Sequence, residues 1–228
     1  MKIGLLLCDQ VDEAYVSLGG GYPEMFRKWL PHHELIDFQT YEGDFPAQIA
    51  DCDAYVVSGS RYSVYDEKDW IDQLKEFVQE VYDADQKYVG ICFGHQMLAH
   101  ALGGEVDQVE WGWCVGVHAF EITKPKDWMQ PAKSTVNLLM SCQDQVLKLP
   151  DNGQVLARSE DCPAAMIQVG RHMLGIQAHP EFPKPYSKAL MEDRISRIGE
   201  EKVAQGLKSL ELDIHPSLVR SWVTQFLQ

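Results

Sequence analysis

The sequence predicts an α/β fold with a mostly parallel sheet, helices on both of its faces and further antiparallel strands. Three observations carry that expectation. Up to residue 102, short apolar runs alternate with segments of helical period in the order β, α, β, β, α, β, α. From Glu105 the pattern changes to a series of strand-like runs, several of them hairpin-like, before helices return near the C-terminus. No repeat, linker or low-complexity stretch divides the 228 residues, so one large domain spanning 1–228 is expected. At about 150 residues per domain two small ones would be the other possibility.

The elements follow in order. Lys2–Cys8 is an apolar run of buried-strand length, followed by a polar loop that ends in Gly19-Gly20-Gly21. A helix is expected near Pro23–Leu30, a strand over His33–Phe38 and another over Ala54–Val57. Trp70, Ile71, Leu74, Phe77, Val78, Val81 and Tyr82 recur at helical spacing and predict a helix over Asp69–Tyr82, with Asp66–Asp69 as its charged start. Tyr88–Ile91 reads as a short buried strand, and Phe93–Leu102 as a helix stopped by Gly103-Gly104. Later strands are expected over Val115–Ile122, Thr135–Met140, Gln154–Arg158, Ala164–Val169 and His172–Gln177. Val169-Gly170-Arg171-His172 makes a tight turn between the last two. The closing helices are read as Pro185–Leu207 and Ser217–Leu227, the second opened by Pro216.

Composition narrows the function. With 34 Asp+Glu against 20 Lys+Arg the net charge is −14, which argues against nucleic acid or an anionic membrane surface as partner. The first apolar run is too short for a signal peptide, and no stretch approaches the roughly 18 apolar residues of a membrane span. Six scattered cysteines without a C-x-x-C pair read as free thiols of a reducing cytoplasm.

The most informative stretch is Lys87-Tyr88-Val89-Gly90-Ile91-Cys92-Phe93-Gly94-His95-Gln96. A buried strand ends, a helix begins and Cys92 stands at the corner, with glycine two residues to either side. A nucleophile elbow needs this pattern, because so sharp a turn leaves no room for side chains at the flanking positions. The corner also sets the sulfur at a helix N-terminus, whose positive end favours the reactive thiolate. A second stretch, Leu174-Gly175-Ile176-Gln177-Ala178-His179-Pro180-Glu181-Phe182, ends a short strand and presents a His and a Glu two residues apart. Strand ends of an open parallel sheet are where ligands bind. A cysteine nucleophile needs a base, and the base an acidic orienter, so His179 and Glu181 supply what Cys92 lacks. His95 and His118 are the alternative bases. The third stretch is Ala54-Tyr55-Val56-Val57-Ser58-Gly59-Ser60, a buried strand running into a small-residue loop. Acyl transfer passes through an oxyanion that backbone N–H groups stabilise. The amide of Phe93 is one candidate donor, and that of Gly59 or Ser60 the other.

Gly90-Ile91-Cys92-Phe93-Gly94-His95-Gln96 together with His179-Pro180-Glu181 resembles the class I (triad-type) glutamine amidotransferases. The resemblance implies a flavodoxin-like open sheet and a Cys92-His179-Glu181 triad. It implies hydrolysis of glutamine or another γ-glutamyl amide through a γ-glutamyl thioester on Cys92, releasing ammonia or an amine, with no metal or organic cofactor. It further implies that Gln96 and a loop after a later strand, Ser141-Cys142-Gln143-Asp144-Gln145, contact the amino-acid end of the substrate, Ser141 and Gln143 among them. Two positions depart from the family's commonest pattern. Ser60 stands where a second glycine is usual, and would need a φ that serine tolerates less well. Cys142 stands where a histidine is usual.

Three segments, Gly21-Tyr22-Pro23-Glu24-Met25-Phe26, Ser63-Val64-Tyr65-Asp66 and Cys162-Pro163-Ala164-Ala165-Met166, resemble the family's stand-alone members. These are similar to the amidotransferase domain of guanosine monophosphate synthetase and to the plant γ-glutamyl peptidases. No Ser-Gly-Gly-x-Asp-Ser phosphate loop of an ATP pyrophosphatase is present. The expectation is thus a cytoplasmic amidohydrolase. A subunit delivering ammonia to a separate synthase, and a non-enzymatic regulatory member of the fold, are the alternatives. Other features are assigned structural roles: Gly19-Gly20-Gly21 as a mobile loop over the site, His32-His33 as a solvated pair without metal partners, Trp111-Gly112-Trp113 as packing near the site, and Cys8, Cys52, Cys114 and Cys162 as core or loop thiols.

Overall fold

The computed structural model describes residues 1–228. Its elements run β1 (Lys2–Leu6), α1 (Val16–Gly19), α2 (Tyr22–Trp29), β2 (Glu34–Phe38), β3 (Ala54–Val57), α3 (Asp69–Asp83), β4 (Lys87–Ile91) and α4 (Phe93–Ala101). Then follow β5 (Glu105–Gln108), β6 (Cys114–Ile122), β7 (Thr135–Cys142), β8 (Asp144–Lys148), β9 (Gly153–Arg158), β10 (Met166–Val169) and β11 (Met173–Ile176). The chain closes with α5 (Lys184–Asp193), α6 (Ile195–Ile198), α7 (Glu200–Ser209) and α8 (Pro216–Leu227). None of the helices is long and apolar enough to cross a membrane.

Nine strands form one sheet in the order β2-β1-β3-β4-β11-β10-β9-β6-β7. The first five are parallel to one another. The remaining joins, from β11 to β10 onward, are antiparallel. Residues alternate across the strands, so each strand feeds two cores. On one face Ile3, Leu5, Val56, Val89 and Leu174 pack with Met25 and Phe26 of α2 and with Trp222 and Phe226 of α8. On the other, Leu6, Tyr55, Val57 and Tyr88 pack with Leu74, Phe77 and Val78 of α3 and with Met97 and Leu98 of α4. The open α/β sheet with antiparallel additions is as the sequence predicts.

The structure differs from that reading in four places. The expected helix Pro185–Leu207 is broken into α5, α6 and α7, because Arg194 (ψ 14°) leaves helical geometry and Gly199 takes φ +95°. The strands β5 and β8 pair only with each other. They escape detection because β8 buries polar Asp144 and Gln145 instead of an alternating apolar set. The segment expected to be a loop at Ser141–Gln145 is strand on both sides of Gln143. Finally, Gly19-Gly20-Gly21 is a capped link between α1 and α2, in which the Gly21 amide donates to Glu24 Oε2 at 2.8 Å.

One contact sets where α5 to α7 lie. In β6, Gly116 has φ +81°, and a Cβ there would lie 2.3 Å from Ser209 Oγ and 2.6 Å from the Gly206 carbonyl oxygen. Ser209 Oγ accepts from the Val117 amide at 2.7 Å and donates to the Gly206 carbonyl at 2.6 Å, stapling α7 to the strand. A Gly116→Ala variant must open this contact and adopt a strained φ. It should lose about 1–3 kcal/mol, read as a fall in Tm of about 2–4 °C per kcal/mol for a chain of this size. An unchanged melting curve would show that the helix is not seated by this approach.

Candidate active site

The C-terminal ends of β1, β3, β4 and β11 lie side by side, with β1 flanked by β2 and β3 at the point where the strand order reverses. Three short segments, beyond the ends of β4, β11 and β3, build the site. The first is the elbow. β4 ends at Ile91, and Cys92 takes φ +51° and ψ −100° before α4 begins. Such a conformation costs on the order of 1–3 kcal/mol and persists only where its surroundings hold it. Here the Cys92 amide donates to the Ile176 carbonyl at 2.8 Å, and the Gly94 amide to the Ser58 carbonyl at 3.2 Å. The reason for the two glycines is now specific. A Cβ on Gly90 would lie 2.3 Å from the Gly94 carbonyl group, whereas one on Gly94 would strike the backbone of Val57 in β3 at 2.5 Å.

The second segment follows β11. His179 Nδ1–H donates to Glu181 Oε1 at 2.7 Å, and both side chains are buried. The amide of His179 donates to the Leu139 carbonyl of β7 at 2.8 Å. The imidazole also lies flat on Phe182, with ring centroids 3.8 Å apart and planes 11° apart. Phe182 is in turn set edge-on against Tyr186. Position and plane of the ring are therefore fixed from the backbone, the carboxylate and the aromatic stack. Burial alone would lower the imidazole, but the charge of Glu181 and the neighbouring Cys92 sulfur outweigh it and raise it to about 10. Neither alternative histidine is near this arrangement. His95 is fully buried against Gly175 on the far side of the elbow, and burial lowers it to about 4. His118 rests on the Val115 carbonyl and is lowered by burial.

The third segment follows β3. Gly59 lies between Cys92 and His179: a Cβ there would be 2.9 Å from His179 Cε1 and 3.7 Å from Cys92 Cβ. The amides of Phe93, Gly59 and Ser60 have no acceptor in the protein. Ser60 departs from its expected strain, since its φ lies outside the left-handed region. Its hydroxyl bonds the Cys8 carbonyl at 2.9 Å and receives the Tyr62 amide at 3.2 Å, which ties the loop to the end of β1.

Around Cys92 a cleft opens in two lobes that share Ser60, Arg61, Ser141, Arg194 and Arg197. The lobe beside Cys92 has a volume of about 90 Å³ and includes Gln96, Cys142, Gln143 and Asp144. The lobe beyond His179 has about 260 Å³ and is walled by Tyr15, Tyr22, Phe182 and Tyr186. The broken α5–α6 junction carries Arg194 and Arg197 over both. Trp113 lines the smaller lobe beneath the Arg197 guanidinium, 5.4 Å from the ring centroid, while Trp111 is exposed.

Of the residues expected to meet the substrate, Gln96 and Ser141 line the cleft. Gln143 lines it too but directs its amide to Gln108 at 3.1 Å. Two further polar side chains stand out, Asp144 from the segment expected to meet the substrate and Gln177, to which the motifs assigned no role. Asp144 accepts a hydrogen bond from Ser63, and burial raises its carboxyl against the opposing effect of Ser63 and Tyr65. Gln177, fully buried, directs its amide nitrogen at Cys92 Sγ, 3.5 Å away. Gln177 was visible in the sequence within the His179 stretch, but only contact with the sulfur distinguishes it from a strand-end residue. The other five thiols are buried, with Cys142 at the edge of the smaller lobe. Burial pushes Cys8 up to about 12 and Cys114 up to about 11, and raises Cys52, Cys142 and Cys162 as well. No group of three or more His, Cys, Asp or Glu side chains is arranged to hold a metal.

An open parallel sheet with a cysteine elbow on one central strand and a His–Glu pair at the end of its neighbour defines a class, the α/β enzymes of cysteine-dependent acyl transfer. Within it the chain belongs to the class-I glutamine amidotransferase family, whose family model matches residues 32–197. It is 32% identical over 177 residues to γ-glutamyl peptidase 5 of Arabidopsis thaliana, covering 74% of this chain and 68% of that protein. It is 35% identical over 130 residues to the glutamine-hydrolysing GMP synthase of Neisseria meningitidis, covering 55% of this chain and 24% of that one. A glutamine amidotransferase of Thermotoga maritima shares the fold, with a TM-score of 0.79 over 99% of this chain and 98% of that one at 18% identity.

The His179–Glu181 pair makes stability depend on pH in a stated direction. A histidine raised from 6.5 to about 10 on folding contributes in full below about pH 6.5, and that contribution is lost as pH rises through about 10. The unfolding free energy in urea should fall from neutral pH toward pH 10. A Glu181→Gln variant should start lower at neutral pH and change less over the same window. Parallel curves for the two proteins would show that the pair is not charged at neutral pH.

Proposed function

We propose that the chain hydrolyses γ-glutamyl amides as a free-standing enzyme, with Cys92 as nucleophile, His179 as acid and base, and Glu181 as its orienter. The observation that carries this reading is the placement of Cys92 and the Glu181-bound His179 on either side of Gly59, with acceptor-free amides at Phe93, Gly59 and Ser60 around them. In the proposed reaction His179 takes the proton of the Cys92 thiol, and the Sγ thiolate attacks the γ-carbonyl carbon. The oxyanion is held by the Phe93 amide and that of Gly59 or Ser60. Protonated His179 gives its proton to the leaving amine as the C–N bond breaks, leaving a γ-glutamyl thioester. Neutral His179 then takes a proton from water, whose oxygen attacks the thioester, and collapse releases glutamate and regenerates the thiol.

The lobes support an assignment of substrate ends. The smaller one suits the γ-glutamyl group. There the Gln96 carbonyl oxygen has no protein donor and Asp144 supplies a carboxyl, both fitted to an α-ammonium group. Ser141 and Gln143 complete that wall. The larger lobe lies on the leaving-group side of His179. Ammonia needs little more than the roughly 30 Å³ of a water molecule, so 260 Å³ favours a larger amine. A γ-glutamyl peptide, the substrate named by the Arabidopsis relatives, has such a leaving group. The Neisseria GMP synthase likeness favours the other reading, a glutaminase serving a synthase. Free thiols suit a cytoplasmic setting.

The test assays the purified protein on glutamine and on γ-glutamyl dipeptides, and then treats it with a glutamine-like diazo-ketone. Dipeptides should be cleaved with kcat/KM at least tenfold above glutamine. Label should appear on Cys92 alone, and Cys92→Ser should lose at least about 1,000-fold in rate. Label on Cys52 or Cys142 would overturn the elbow assignment. Inertness on every amide, relieved by a co-purifying synthase, would replace this reading with that of an ammonia-supplying subunit.

A further inference from the structure

A line of hydrogen bonds runs from the substrate lobe to the sulfur. Gln96 Nε2 donates to the Asp144 carbonyl oxygen at 2.7 Å and to Gln177 Oε1 at 3.2 Å. Gln177 Nε2 reaches Cys92 Sγ at 3.5 Å. The orientation of both amides follows from one end. A backbone carbonyl can only accept, so the Gln96 group beside it is the NH2. The second hydrogen of that NH2 must meet the oxygen of Gln177, which leaves the Gln177 NH2 facing the sulfur. The Gln177 amide nitrogen on the main chain is held by the Ala165 carbonyl at 2.9 Å, so the side chain starts from a fixed point. Gln177 is 0% and Gln96 3% exposed, so water does not take the place of either donor.

We infer that Gln177 is a further catalytic residue: its amide N–H holds the Cys92 sulfur in its attacking position and stabilises the thiolate, under an orientation imposed by Gln96 from the substrate lobe. The inference rests on Cys92 being the nucleophile. A thiol is a weak acceptor and a thiolate a strong one, so a neutral donor favours the ionised form without adding a charge that would oppose the imidazolium of His179. The other titratable groups around the sulfur are His179 beyond β11, Tyr22 of α2, Cys142 of β7 and Cys162 before β10. None of these side chains contributes a hydrogen bond to Gln177. Because the same Gln96 NH2 serves the Asp144 carbonyl and Gln177, a shift of Asp144 on binding an α-ammonium group would be felt at the sulfur.

The experiment measures the rate of iodoacetamide alkylation at Cys92, read by peptide mass spectrometry, as a function of pH. It compares wild type with Gln177→Glu, which sets an acceptor-only group against the sulfur, and Gln177→Met, which keeps the shape and removes the donor. Circular dichroism and urea unfolding establish that each variant is folded. The pH of half-maximal alkylation should rise by about one unit in Gln177→Glu, a tenfold loss of reactivity below the midpoint. It should rise less in Gln177→Met. In both, kcat should fall at least tenfold with KM nearly unchanged, and Gln96→Leu should show a smaller change of the same sign. A folded Gln177→Glu or Gln177→Met protein with the wild-type alkylation profile overturns the inference, even if its Tm is lower. Alkylation is read without substrate, so a failure of the functional proposal appears separately, as full hydrolysis by Cys92→Ser.

Discussion

The positive φ of Cys92 is the constraint on which the rest of the site depends. A strand must end, turn within one residue and become a helix, and the turning residue is a cysteine instead of glycine. The conformation costs on the order of 1–3 kcal/mol, a sizeable part of the 5–15 kcal/mol by which folded domains are stable. It is held because both sides of the turn are tied to neighbouring strands. The Cys92 amide bonds to the end of β11, and the Gly94 amide to the residue after β3. Those two strands also carry the other parts of the site, Gly59 and Ser60 on one side, Gln177 and His179 on the other. Removing either glycine would push the helix off the strand or the strand off its neighbour.

The second organising feature is electrostatic. A carboxylate and an imidazole buried together are costly unless each is paired. His179 and Glu181 meet that condition through one short, well-directed bond, with the ring held flat against Phe182. This keeps a proton on the imidazole where a leaving amine would need it. Burial raises the five thiols other than Cys92. The amide of Gln177 adds a donor to the Cys92 sulfur without adding charge.

The cleft owes its shape to elements outside the parallel half of the sheet. The staple between Gly116 and α7 fixes the broken α5–α7 run over the strand ends, and this carries Arg194 and Arg197 above both lobes. The antiparallel β5–β8 pair supplies the opposite wall and buries Asp144 beside Gln96. The antiparallel half and its helices thus bring Ser141, Arg194 and Arg197 to both lobes, while Cys92 and His179 stand at strand ends of the parallel half.

Local patterns in the sequence determined the parts whose physics is local. Strands feeding two cores read as continuous apolar runs, α3 shows its buried stripe at helical spacing, and Gly90-x-Cys92-x-Gly94 announces a turn that only glycines can flank. The elbow at Cys92 and the His179–Glu181 pair were legible for the same reason, since each sits at a strand end marked by its neighbours. Three matters were left to the tertiary structure. The break of α5–α7 depends on Gly199 and on the seating of α7 against Gly116, which lies 90 residues before Gly206. The polar strand β8 has no apolar alternation, because it buries Asp144, which accepts from Ser63, and Gln145, whose amide nitrogen donates to the Asp161 carbonyl. Gln177 looks like any polar residue after a strand until the fold brings it to Cys92, 85 residues earlier. Side-chain pattern along a chain encodes which face is buried; which polar groups meet across it is decided only when the strands are laid side by side.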